Sequence, residues 1–302
     1  MKALDLLNEL RSQIASKPDK WQEKVFDEKY ANTKPEFFEK AAAMLENYGD
    51  FLAAPVIQAM TDCERDRLGN TVVATVPLSS INARTYKADN NEYLIAVNER
   101  LLALIYSWGE LQIMPFVAPD NCSDNFAQIF APVIDCYLTP NSGCALPILS
   151  FEEIPAEFTP FLVLKAQCAE RFIVAHELAH IVLGHLDNAD DLTFHEDSYS
   201  FGAESYSIEQ QKEYDADVQA VQWMKKSFKA QGMPNKFMFA CVEVFVLFHY
   251  IECNLGFPRK TESHPAALSR LINIRNHFPD IEGISEMIEN CMDVNSFRIV
   301  PD

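Results

Sequence analysis

Apolar residues recur at helical spacing along most of this chain. Near the start, Leu4, Leu7, Leu10 and Ile14 lie three or four positions apart, which predicts an amphipathic helix. Similar patterns predict further helices at 35–48, 51–67, 99–110, 160–184, 212–224 and 235–253. Two short segments rich in β-branched residues, 71–76 and 93–97, predict strands. The chain is therefore predicted to be an α+β protein that is mainly helical and contains a small β-sheet.

One predicted helix carries ionisable residues within an otherwise apolar segment, in the sequence His176-Glu177-Leu178-Ala179-His180. His176 and His180 are one helical turn apart, so both imidazoles can reach one metal ion. Glu177 points toward the same side, where a carboxylate can accept a proton from metal-bound water. This is the His-Glu-x-x-His arrangement of zinc hydrolases. For five residues alone, the alternative is an ordinary core helix with two hydrogen-bonded histidines.

A second helix supplies the acidic groups that such a site needs. Glu213 and Asp217 are one turn apart on the predicted helix 212–224. A catalytic zinc ion has three protein ligands and one open position, and Glu213 can provide the third ligand. Asp217 can accept the free ring N–H of a ligating histidine and fix its tautomer. An acidic pair on a helix is usually solvent-exposed, but after a His-Glu-x-x-His helix it is the expected partner.

Three further residues are candidates for the same site. His264 precedes Pro265, which suits a first helical turn, and Arg270 follows within that helix. His264 either stabilises the oxyanion that forms when water attacks an amide or caps its own helix. Arg270 is close enough in sequence to reach a carboxylate of the site. His185 either adds a metal ligand or stabilises the end of the motif helix.

Composition and charge exclude several classes of partner. The net charge is −19, from 44 acidic and 25 basic residues, which argues against nucleic acid because phosphate binding needs basic patches. The apolar run at 237–250 is too short to cross a bilayer, and the N-terminus lacks a signal-peptide core. Eight scattered cysteines favour reduced thiols and a cytoplasmic location.

The chemical motifs all lie in the later part of the chain. We therefore predict an N-terminal helical segment at 1–68 and a catalytic domain at 69–302, or one continuous domain. Residues 187–211 are polar and acidic, and this long connector beside a metal site is a candidate lid.

The three motifs, in the order His176 to His180, Glu213 to Asp217, and His264-Pro265 with Arg270, resemble those of the Lit-like phage-exclusion peptidases. That family comprises zinc metallopeptidases with a downstream glutamate ligand and is similar to the HtpX-type membrane peptidases. The resemblance covers residues 92–112 and 165–278. It implies a zincin-like fold and a metal-dependent endopeptidase that acts in an infected bacterial cell. The implied target is a translation elongation factor, marked by a phage-derived activating peptide or protein.

The sequence thus predicts a zinc endopeptidase that binds one Zn²⁺ ion through His176, His180 and Glu213. Glu177 is the predicted general base, Asp217 and Arg270 support the ligands, and His264 is the predicted oxyanion stabiliser. The alternative is a latent or non-catalytic interaction protein that contains a structural zinc ion. Such an ion needs a fourth protein ligand, for which His185 and His264 are the candidates.

Overall fold

The structure is a computed structural model that describes residues 2–15, 47–76, 82–88, 91–117, 154–187, 210–254 and 265–293. In chain order, its elements are α1 (Ala3–Ala15), α2 (Tyr48–Ala59), α3 (Asp62–Leu68), β1 (Thr71–Val76), β2 (Ala83–Lys87), β3 (Tyr93–Asn98), α4 (Glu99–Val117), α5 (Thr159–Val182), α6 (Gln210–Ala230), a 3₁₀ turn (Asn235–Phe237), α7 (Met238–Val242), α8 (Val244–Asn254), α9 (Ala267–His277) and α10 (Ile284–Met292). The predicted α+β class, mainly helical with a small sheet, is confirmed.

The sheet has three strands in the order β1-β3-β2, with β3 parallel to β1 and antiparallel to β2. All six residues of β3 are buried, which explains its continuous apolar sequence, because a central strand covered on both faces has no polar side. α1 covers one face, where Leu6 and Leu10 pack in one cluster with Leu94. On the other face, Ile95 belongs to the main core.

Helix α5 lies at the centre of that core. It packs against α2, α3, α4, α6 and α7 and also touches β2 and β3. Nearly every residue from Ala166 to Val182 is buried, so this helix has no broad polar face. A helix that is enclosed on all sides gives a rigid base to any side chain that it carries.

Two predicted helices are divided in the structure. The helix predicted at 51–67 breaks after Ala59, and Thr61 caps α3 in a capping box with Glu64. The helix predicted at 235–253 is interrupted at Glu243, where the Val246 N–H donates to the Glu243 carbonyl in a tighter turn. The predictions were wrong at these points because apolar periodicity continues through a short break.

The strand β2 was not predicted, because its sequence Ala-Arg-Thr-Tyr-Lys has no β-branched run and was interpreted as part of a polar turn. The predicted helix at 35–48 lies almost wholly outside the described residues, and so do His264 and most of the connector 187–211. The predicted boundary at 68/69 stays a prediction. Within the described residues, α2 and α3 both pack against α5.

None of the described helices combines the length and the apolar character that crossing a membrane would require.

A buried carboxyl group links α2 to the central helix. The Tyr48 hydroxyl donates a 2.5 Å hydrogen bond to Glu170 Oε2. Burial raises the pKa of Glu170 to about 7, although the bond from Tyr48 and the charge of Arg171 oppose this rise. The pKa of Glu170 is near 4.5 in the unfolded state and about 7 in the folded state, so the protonated side chain favours folding. This contribution to stability is fully present below about pH 4.5 and is lost as the pH rises through about 7.

We therefore expect Glu170→Gln to stabilise the protein more at pH 8.5 than at pH 5. The glutamine carbonyl still accepts the hydrogen bond from Tyr48. The substitution removes the negative charge, which is costly to bury. The gain in unfolding free energy should be about 2–3 kcal/mol larger at the higher pH. Urea unfolding at both pH values measures it, with the exposed Glu157→Gln as control. Equal gains at both pH values would contradict the assignment.

Candidate metal centre

Three buried side chains converge between α5 and α6. His176 and His180 lie one turn apart on α5, and Glu213 lies in the first turn of α6. Their exposed fractions are 8%, 3% and 2%. The two histidine Nε2 atoms are 3.0 Å apart, and each lies 3.4 Å from an oxygen of Glu213. Within the described ranges this is the one cluster of three such groups that can hold a metal ion.

The spacing of these atoms fits a small tetrahedral ion. Zn²⁺ binds histidine nitrogen and carboxylate oxygen at about 2.0–2.2 Å, which places neighbouring ligand atoms about 3.3 Å apart in a tetrahedron. The two histidine nitrogens are 3.0 Å apart, His176 Nε2 lies 3.4 Å from Oε2 of Glu213, and His180 Nε2 lies 3.4 Å from its Oε1, all close to this value. Two imidazoles and one carboxylate are also the donor set of many catalytic zinc sites. The residues therefore fit the ion that the sequence predicts.

The packing of α5 against α6 explains how the three groups meet. Ala175 and Ala179 flank the histidines on α5, Ala216 and Ala220 follow Glu213 on α6, and all four are fully buried. Small side chains allow two helices to pack closely. Glu213 also lies at the positive end of the α6 dipole, which favours a carboxylate there.

Asp217 and Arg270 form a second layer behind these groups. Asp217 Oδ1 is 2.9 Å from His176 Nδ1, the ring nitrogen that points away from the cluster. Arg270, on α9, donates from Nε and Nη2 to the two oxygens of Asp217 at 2.8 and 2.6 Å. Its Nη1 lies 3.2 Å from Glu213 Oε2. One guanidinium group therefore holds Asp217 with bidentate geometry and also contacts Glu213.

The charges in this cluster are strongly coupled. Burial and Arg270 both disfavour the charged form of His176, but the bonds to Asp217 and Glu213 outweigh them and raise the pKa of His176 to about 9. Burial acts to raise the pKa of Glu213, yet Arg270 and the two histidines hold this pKa well below its usual range. The pKa of Asp217 is also lowered, against burial, by Arg270 and His176. Both carboxylates are therefore ionised at neutral pH.

Glu177 lies beside the cluster and contacts the sheet. The Thr85 hydroxyl, on β2, donates a 2.7 Å hydrogen bond to Glu177 Oε2. Unlike its two histidine neighbours, Glu177 is half-buried. This carboxylate is thus oriented by one neutral donor and keeps acceptor capacity for a further proton or water.

His185 lies behind His180. Its Nδ1 is 2.9 Å from His180 Nδ1, the nitrogen that faces away from His176 and Glu213. Burial and the neighbouring His180 lower the pKa of His185 to about 4, so its ring is neutral.

The structure brings together His176, His180, Glu213, Asp217 and Arg270, and it places Glu177 next to them. His264, the remaining predicted site residue, lies outside the described residues. Sequence reasoning missed Thr85, because its strand was not predicted. It also missed the contact of His185, because a turn rather than helical periodicity places that ring.

A His-Glu-x-x-His helix with a buried downstream carboxylate is the arrangement of metal-dependent peptidases. Comparison with known proteins agrees with a peptidase: the model of the family Peptidase U49, a protease family, matches residues 165–290. The matched region contains both ligand helices and Arg270. The predicted resemblance to Lit-like peptidases is therefore supported for this region. No curated protein and no solved structure matches the chain.

Proposed function

We propose that this protein is a zinc-dependent endopeptidase. The observation that carries the proposal is the buried cluster of His176, His180 and Glu213, with ligand-atom separations that fit tetrahedral Zn²⁺. The match of Peptidase U49 to residues 165–290 supports the hydrolysis of peptide bonds.

In the proposed mechanism, His176, His180 and Glu213 would hold zinc, which would supply a Lewis acid for the scissile carbonyl and for the attacking water. Glu177 accepts the proton from that water and returns it to the amine leaving group. The bond from Thr85 holds one oxygen of Glu177 and leaves the other for proton transfer. The His176 Nδ1–H donates a hydrogen bond to Asp217, so Nε2 is the nitrogen that faces the metal site. Arg270 keeps Glu213 and Asp217 in their positions. His264 is the proposed oxyanion stabiliser.

Strand β2 is the proposed binding edge for an extended substrate. Asn98 N–H donates to Asn82 O and Ala88 N–H donates to Glu92 O, so even-numbered residues of β2 bond to β3. The backbone groups of Ala83, Thr85 and Lys87 therefore point away from β3. Within the described residues, β2 is an outer strand of the sheet. A peptide added there would pass Thr85, whose side chain contacts Glu177.

The proposed biological role follows from the resemblance to phage-exclusion peptidases. The proposed substrate is a translation elongation factor in the bacterial cytoplasm, cut after a phage-derived peptide or protein appears. The net charge of −19 supports a protein substrate rather than nucleic acid.

Metal removal tests the proposed activity. Purified protein is incubated with an elongation factor in extracts of uninfected and phage-infected bacteria, and with unfolded casein, and products are identified by mass spectrometry. We expect new peptide termini that disappear after chelation and return when about one equivalent of zinc is added, because three protein ligands define one ion. Cleavage that survives complete metal removal would contradict the proposal.

The second candidate is a latent or non-catalytic protein with a structural zinc ion. Such a site needs a fourth protein ligand. The half-buried Glu177 beside the cluster favours catalysis, since a structural ion does not require a base. Zinc binding with no cleavage in any extract would favour the second candidate.

A further inference from the structure

The two ring nitrogens of His180 face in opposite directions. Nε2 faces the cluster, at 3.0 Å from His176 Nε2 and 3.4 Å from Glu213 Oε1. Nδ1 faces the other way and lies 2.9 Å from Nδ1 of His185. The two rings are inclined at 61°, with their centroids 5.1 Å apart.

A specific turn puts His185 in this position. After α5, Gly184 adopts a left-handed conformation with φ 73°. The Gly184 N–H donates to Ile181 O, and the His185 N–H donates to His180 O. This pair of bonds is a Schellman motif, in which a glycine at the left-handed position reverses the chain. The reversal returns the His185 ring to the side of the helix where His180 lies.

The contact determines which tautomers fit. To present a lone pair at Nε2 to a metal ion, a neutral His180 must carry its proton on Nδ1. That proton needs an acceptor in a buried site. The nearest nitrogen of His185 is an acceptor when the His185 proton is on its own Nε2. Asp217 makes the corresponding contact with His176 at 2.9 Å.

We propose that His185 is a positioning residue that fixes the tautomer and orientation of His180 as a metal ligand. This inference rests on the proposed function. Each histidine ligand then has its own partner, Asp217 for His176 and His185 for His180. The Nδ1 of His185 points at the outer side of the His180 ring, so this atom is directed away from the cluster. The geometry therefore assigns His185 a role behind the ligands and not that of a fourth ligand.

Zinc affinity tests this role without any substrate. Dissociation constants are measured by competition with a chromogenic chelator for the wild type, His185→Leu and His185→Asn. We expect His185→Leu to weaken zinc binding by about 10–100-fold, the usual effect of removing such a partner. His185→Asn should bind within a few-fold of the wild type, because its side-chain oxygen can replace the acceptor. The exposed His277→Leu controls for the loss of one histidine.

Two further measurements separate positioning from folding. The visible spectrum of the cobalt-substituted protein should change in His185→Leu and return in His185→Asn, because it reports ligand geometry. The unfolding temperature in chelator should be the same for all variants. Equal zinc affinity in wild type and His185→Leu would overturn this inference alone. A joint loss in both variants with a lower unfolding temperature would also overturn it. A wild type that binds no zinc would overturn the proposed function as well.

Discussion

Replacing Glu177 with glutamine is expected to abolish peptide hydrolysis and to leave zinc binding intact. The amide has nearly the same shape and can still accept the bond from Thr85, which measures 2.7 Å in the native protein. It cannot accept a proton from water. Removing a general base costs about 10²–10⁴-fold in rate. Cleavage rate and zinc content, by elemental analysis of the same preparation, measure the two effects.

Glu170→Gln is the matched control, because it makes the same substitution on the same helix, away from the ligands. It should cleave at the wild-type rate. If Glu177→Gln also cleaved at that rate, Glu177 would not be the base. If it lost zinc together with activity, the loss of hydrolysis would reflect a disrupted metal site.

Replacing Glu213 with alanine is expected to remove the metal ion. The two histidines would remain, but the cluster would lose its only anionic ligand and the group that Arg270 contacts at 3.2 Å. Arg270 would keep its pair with Asp217, but its charge would no longer be offset by Glu213, so the site would be less favourable for a cation. We expect the dissociation constant for zinc to rise by more than about 100-fold. This exceeds the effect of losing a residue that only hydrogen-bonds to a metal ligand. Equilibrium dialysis against buffered zinc measures this change.

The exposed Asp215→Ala is the control for this variant, because it removes an acidic residue from the same helix. It should keep about one zinc ion per chain, as a single three-ligand site requires. Full zinc occupancy in Glu213→Ala would contradict the assignment of Glu213 as a ligand and would favour the interaction-protein alternative.

The sequence was sufficient to predict the groups that lie on regular helices. The spacing of His176 and His180, and that of Glu213 and Asp217, defines which side chains share a face. Predicting that the two faces meet required chemistry in addition to spacing, since a metal ion with two histidines needs a third ligand. Arg270 contacts both carboxylates, and the role predicted for it in the site stays a prediction.

The parts that could not be predicted depend on tertiary contacts. β2 has a weak strand sequence, and it forms because β3 provides a partner along its whole length. The bond from Thr85 to Glu177 follows from that pairing. The contact between His185 and His180 depends on the left-handed Gly184. Turns of this kind are indicated by a glycine after a helix, but the direction of the following side chain is not.

The three candidate ligands differ in how firmly the fold holds them. His176 and His180 lie well inside α5, which other elements enclose, so exposing them requires opening much of the core. Glu213 lies only three residues after the start of α6, where the first turn lacks part of its backbone hydrogen bonding. Ion exchange would therefore begin at the glutamate. For a metal ion bound at this site, fraying of α6 and the contact from Arg270 would set the residence time, whereas the histidine motif would set only the position of the ion.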